Sequence, residues 1–144
     1  MPVRVLARRM ADVIQNEEWR NINEVWGQEV PLDYGGLWAG TTDLVGVHNG
    51  LPTIMDYKNS RKEKKWKQIE NYRMQLAAYA LAHNYQFGTD INRGVIFICV
   101  RKDPNNPTYQ EFVVEGDDFK EACNMWIERV EQYYTLRGEI QHGN

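Results

Sequence analysis

The 144 residues carry 17 lysines and arginines against 20 aspartates and glutamates, a formal net charge of -3, with 42% hydrophobic and 12% aromatic residues. A chain of this length buries roughly 70% of the surface its unfolded form exposes, so a single domain over 1–144 with a real core is expected and a disordered chain is excluded. No apolar run approaches the ~20 residues of a membrane helix, and the basic start MPVRVLARRM has no apolar h-region, so a cytoplasmic protein without a membrane partner is expected.

Cys99 and Cys123 are the only cysteines, one in an apolar run and one on a helical pattern, which suits two buried reduced thiols. With three scattered histidines they cannot build a four-cysteine zinc site or an iron-sulfur cluster within one chain. Any metal is expected to be held by oxygen.

In chain order, Leu6, Met10, Val13 and Ile14 at helical spacing predict a helix from Val5 to about Val25. GQEVPLDY and GLWAGTTDLVGVH follow, broken by Gly35-Gly36. Asn49-Gly50 lies between two β-like runs, and both residues tolerate positive φ, which predicts a hairpin joining strand 37–48 to strand 52–58. From Trp66 to His83 the period becomes 3.6, with Ile69, Tyr72, Leu76 and Ala80 on one face. RGVIFICV (93–100) reads as a buried strand, DPNNPT as a loop and YQEFVVE (109–115) as a neighbouring strand. Phe119, Cys123, Trp126 and Val130 form the stripe of a last helix, 118–136. The order is αβββαββα, an α/β (α+β) fold with one mixed sheet flanked by helices.

Side chains alternate across a strand, so Asp56 and Lys58 leave the same face. Asp43 lies on the preceding strand, and a turn at Asn49-Gly50 can bring it near Asp56. Two carboxylates sharing a site repel unless a cation lies between them, and Mg²⁺ prefers oxygen ligands. D-x-K alone is weak, since a quarter of the chain is charged and strand ends often carry solvated acid-lysine pairs; GTTD alone equally suits a bulge or turn. Gln75 and Tyr79 are four apart and share a helix face, although a helical tyrosine is more often core with a satisfied hydroxyl.

Taken together, Glu29, G40-T-T-D43, D56-Y-K58 and Q75-L-A-A-Y79 resemble the PD-(D/E)XK nuclease superfamily, in the RecB-like branch with a Q-x-x-x-Y motif. The chain is most similar there to mitochondrial genome maintenance exonucleases, which show Asp-Trp-Lys-Thr-Ser where this chain has DYKNS; the resemblance runs from about Glu29 to Arg137. It implies a restriction-endonuclease-like core. It also implies that Asp43, Asp56 and the carbonyl of Tyr57 hold Mg²⁺ or Mn²⁺, that Lys58 orients or activates water, that Gln75 and Tyr79 support the lysine and contact the scissile strand, and that Glu29 is the acid of the first motif. The chain departs from the family in having about 28 residues before Glu29, with no upstream histidine. It also lacks the cysteines of iron-sulfur relatives, so no iron-sulfur cluster is expected.

Lys58, Arg61, Lys62, Lys64, Lys65 and Lys67 stand against one acid, Glu63, an excess of +5 in an acidic chain. Such a run is often a solvated loop. Beside a metal site it reads as a phosphate clamp formed by Arg61, Lys62, Lys64, Lys65 and Lys67, with Trp66 stacking on an unpaired base. The expected activity is a metal-dependent deoxyribonuclease whose partner is DNA, an exonuclease on single strands in recombination, repair or phage DNA metabolism, in a bacterial or phage-infected host cell. A junction-resolving endonuclease acting as a homo-oligomer and a non-catalytic DNA-binding module are the alternatives.

Overall fold

The computed structural model describes residues 21–138. Five strands, β1 (Ile22–Tyr34), β2 (Trp38–His48), β3 (Leu51–Ser60), β4 (Gly94–Val100) and β5 (Thr108–Val114), form one sheet in the order β1-β2-β3-β4-β5. A 3₁₀ turn over Trp66–Ile69 leads into α1 (Glu70–Phe87), and α2 (Gly116–Leu136) ends the described chain. All neighbouring strands are antiparallel except β3 and β4, which are parallel because α1 carries the chain across between them. This is the expected restriction-endonuclease-like mixed sheet with flanking helices.

The helix expected over Val5–Val25 lies mostly outside the described residues, and its end is corrected: Ile22 to Val25 belong to β1. Helical spacing there is overridden by pairing, since Ile22, Glu24 and Val25 lie against His48, Val47 and Gly46 of β2. Gly46 makes this possible; a Cβ on it would stand 2.1 Å from the Glu24 carbonyl oxygen. The hairpin at Asn49-Gly50 forms as expected, with φ of 50° and 80°, although β3 begins at Leu51 and runs on to Ser60.

The two faces of the sheet bury different sets. Val45, Ile54, Ile96, Ile98 and Val100 pack with Ile69, Leu76 and Ala80 of the α1 side and with Phe119 of α2. Leu44, Met55, Val95 and Phe97 form a second cluster with Tyr57 and Tyr109 on the other face. Every residue of β4 is buried, as expected for an interior strand covered on both sides. Cys99 and Cys123 are free thiols, and burial pushes Cys123 up to about 11. Among the described residues no helix is long and apolar enough to cross a membrane.

Candidate active site

The two-residue hairpin pairs His48 with Leu51, and the ladder runs to Leu44 opposite Met55. Asp43 and Asp56 would form the next pair, but there β2 parts from β3 and continues along β1 as a longer hairpin. The backbone bond that the ladder would have made is replaced by a side chain: the Tyr57 N–H donates to Asp43 Oδ2 at 2.8 Å. The two aspartates therefore meet where the strands separate.

Asp56 is buried, 4% exposed. Burial first, then contact with the Asp43 carboxyl, push it up to about 7 against the opposing pull of Lys58. Lys58 Nζ stands 2.8 Å from Asp56 Oδ2, as alternation along β3 requires. The same ammonium donates to Gln75 Oε1 at 2.7 Å and lies 4.9 Å over the Tyr72 ring. Gln75 Nε2 in turn donates to the Tyr79 hydroxyl at 2.8 Å. Because the tyrosine oxygen accepts this bond, its own proton remains available to donate. Burial and the charge of Asp56 raise the Tyr79 phenol above its ordinary value, so it stays protonated at neutral pH.

Gly40 explains how α1 comes this close. A Cβ there would lie 2.7 Å from Tyr79 Cε1, so the ring rests against bare backbone at the head of the GTTD run. Glu29 sits on β1 between the residues that pair with Leu44 and Thr42, opposite Asp43 in the ladder, exposed and with φ of 49°. Positive φ is uncommon for a residue with a side chain. Among the described residues no three His, Cys, Asp or Glu side chains are gathered to hold an ion, so the structure unites Asp43, Asp56, Lys58, Gln75 and Tyr79 and leaves Glu29 outside that group.

The basic segment follows directly. Arg61, Lys62, Lys65 and Lys67 are exposed and Lys64 is half-buried. Gln110 of β5 clamps the loop, accepting from the Lys64 N–H at 2.8 Å and donating to the Lys64 carbonyl at 3.0 Å. Trp66 is engaged in packing: Arg73 lies over its ring at 4.3 Å and donates to its carbonyl, and Phe112 stands 6.3 Å away. Sequence reasoning missed Trp38, Trp126 and Arg129, which with Lys58, Tyr72, Gln75 and Tyr79 line a cleft of 420 Å³. Trp126 reads as an ordinary core stripe residue on its own helix; nothing local ties it to Trp38, far earlier in the chain.

The model of the PD-(D/E)XK nuclease superfamily matches residues 3–142. The chain belongs to that superfamily. Among solved structures it is similar to a "Putative exonuclease" from Eubacterium rectale, with a TM-score of 0.62, 15% identity, and coverage of 95% of this chain and 55% of that one. This likeness shows a shared fold. A 53-residue stretch is 40% identical to the G-1 component of eukaryotic translation initiation factor 3 from Drosophila sechellia, and equally to that from Drosophila simulans. It spans 37% of this chain and 19% of those proteins, too small a share to assign a family.

The donor set suits a hard divalent cation. Two carboxylates in contact, one of them buried with a raised pKa, form a site whose repulsion a cation relieves.

Proposed function

We propose that this nuclease-superfamily domain is a Mg²⁺- or Mn²⁺-dependent deoxyribonuclease acting as an exonuclease on single-stranded DNA. The observation that carries the reading is the unbroken chain of contacts from Asp43 and Asp56 through Lys58 and Gln75 to Tyr79.

Asp43, Asp56 and the Tyr57 carbonyl would hold the cation, and Glu29, the acid of the first motif, stands on the adjoining strand outside that group. When bound, a divalent cation supplies Lewis acidity to the scissile phosphate and to the attacking water. Lys58, fixed between Asp56 and Gln75, presents a preorganised positive charge to the charge that develops on the phosphate. Gln75 holds the lysine by its carbonyl and the tyrosine by its amide, so one side chain positions two donors. Tyr79 directs its remaining proton toward a phosphate oxygen of the bound strand. Arg61, Lys62, Lys64, Lys65 and Lys67 supply phosphate contacts beside the site, and the clamp at Gln110 limits the ordering entropy lost when they engage.

Digestion of end-labelled linear single strands and closed single-stranded circles, with and without Mg²⁺, tests the reading. Mononucleotide release from linear strands, intact circles and no cleavage in chelator are expected. Cutting of circles would make the protein an endonuclease, and cutting without divalent cation would remove the metal from the mechanism.

A further inference from the structure

The residues assigned to chemistry occupy only part of their cleft. Trp38, Trp126 and Arg129 share the 420 Å³ space with Lys58, Gln75 and Tyr79, and the same three also line an adjoining space of 370 Å³ that reaches Tyr133 and Tyr134. Each volume lies within the ~300–1,000 Å³ of ordinary ligand sites. Among the described residues, the only charged side chains on either set of walls are Lys58 and Arg129, both positive, in a chain whose net charge is -3. Flat aromatic surface combined with cations alone is the recognition chemistry of unpaired nucleotides, which offer π-faces and phosphates together. A duplex keeps its base faces stacked inside.

The walls are also held in place. Trp38 stacks on Tyr34 at 4.1 Å with the rings 1° from parallel, and its indole N–H donates to the Ala78 carbonyl at 3.1 Å. Trp126 meets Trp38 edge-on at 5.6 Å and 86°, and its own buried N–H has no hydrogen-bond partner among the described residues. Arg129 donates to Asn71 at 3.2 Å, bridging α2 and α1, and is exposed. Tyr134 donates to the Leu37 carbonyl at 2.6 Å and fastens the end of α2 to the tip of the β1–β2 hairpin. Such preorganisation removes much of the ordering cost of binding.

We propose that the two adjoining clefts are the track of the substrate strand. Two successive unpaired nucleotides next to the scissile phosphate lie along it, their bases against Trp38 and Trp126 and a phosphate on Arg129. The proposal rests on the nuclease reading for its orientation relative to Lys58. It moves base stacking from Trp66, whose ring Arg73 covers, to the opposite border of the site.

The test measures binding of a fluorescent 12-nucleotide oligothymidylate by anisotropy, with Ca²⁺ in place of Mg²⁺. In companion oligonucleotides the second and third nucleotides from one end or the other are abasic. For the full-length protein, abasic replacement at one end is expected to raise Kd about 5- to 150-fold per base, the equivalent of ~1–3 kcal/mol of stacking. Trp126→Ala should remove the share of that penalty owed to the base it carries and leave the share owed to the base on Trp38, a coupling of the kind shown by groups in contact. Arg129→Ala, at an exposed position, should keep the penalty and flatten the log-log salt slope by about 0.7, which keeps the test decisive if Trp126→Ala fails to fold. Absence of a penalty in the unaltered protein, an undiminished penalty in folded Trp126→Ala, an unchanged slope in Arg129→Ala, or equal affinity for a matched duplex each overturns the track. Base-dependent binding without any cleavage in Mg²⁺ supports the track and removes the nuclease reading instead.

Discussion

The β2–β3 ladder ends in a buried polar cluster on either side, and the two are built on opposite principles. At the hairpin end, Arg93 is 5% exposed and satisfies its neighbours: it donates to His48 Nδ1 at 2.9 Å, to Thr53 Oγ1 at 2.9 Å and to Glu115 Oε2 at 2.9 Å. Since Nδ1 accepts, the His48 proton sits on Nε2, which stands 3.1 Å from Glu111 Oε1. Each charge there faces its complement. At the far end two carboxylates touch, one lysine serves them, and Asp56 is pushed up to about 7. A buried network with complementary partners is costly to break, whereas like charges held together cost stability and mark a candidate functional site.

Exchanging the character of the two ends is the strongest way to break the comparison. Asp56→Ala should lower cleavage at least ~10²–10³-fold, the scale of losing one preorganised electrostatic group, while the melting temperature in chelator stays the same or rises. Undiminished cleavage by this variant would remove the metal assignment.

Arg93→Met should do the reverse. It leaves His48, Thr53 and Glu115 without their donor and is expected to cost about 3 kcal/mol, read as a lower urea midpoint at unchanged slope. The remaining folded protein should cleave at the normal rate per molecule. A stable variant with impaired turnover would merge the two clusters into one function.

A smaller effect sharpens the comparison without removing any cluster. The folded pKa of Asp56, about 7, lies above its ordinary 3.8, so between those values the folded state holds a proton that the unfolded state has lost. Its contribution to stability is complete below pH 3.8 and is lost as pH rises through about 7. In chelator the melting temperature should therefore fall over about pH 4–7 by a few degrees more than in Asp56→Asn, measured by calorimetry. Parallel profiles for the two proteins would show that the fold does not raise the pKa of Asp56.

Much of the far-end cluster was legible because local rules govern it. The D-x-K pair needed only strand alternation, and Gln75 with Tyr79 needed only helical spacing. The hairpin-end cluster was not legible: His48, Arg93 and Glu111 come from β2, the residue just before β4, and β5, with no period linking them. Trp66 shows the same limit from the other side. A tryptophan in a basic run suggests an exposed stacking ring, yet its place depends on Phe112 and Arg73, both outside the run's own pattern. The β1 start failed for a related reason, since helical spacing in the N-terminal segment says nothing about the glycine on β2 that admits Glu24.

By itself the sequence determined the Asn49-Gly50 turn, because both residues accept positive φ, whereas the register that brings Asp43 near Asp56 was set by the structure, which pairs His48 with Leu51 and Leu44 with Met55. The sequence likewise determined that Lys58 follows Asp56 on one face and that Tyr79 follows Gln75. Tertiary structure alone decided that β2 leaves β3 beyond Leu44, that Tyr79 rests on Gly40, and that Asp56 is buried deeply enough to hold a proton near neutrality. It also brought Trp38 and Trp126 into one groove. Turns and periods act between neighbours in the chain, whereas strand divergence, desolvation and aromatic contact depend on what the rest of the sheet and the helices α1 and α2 pack against.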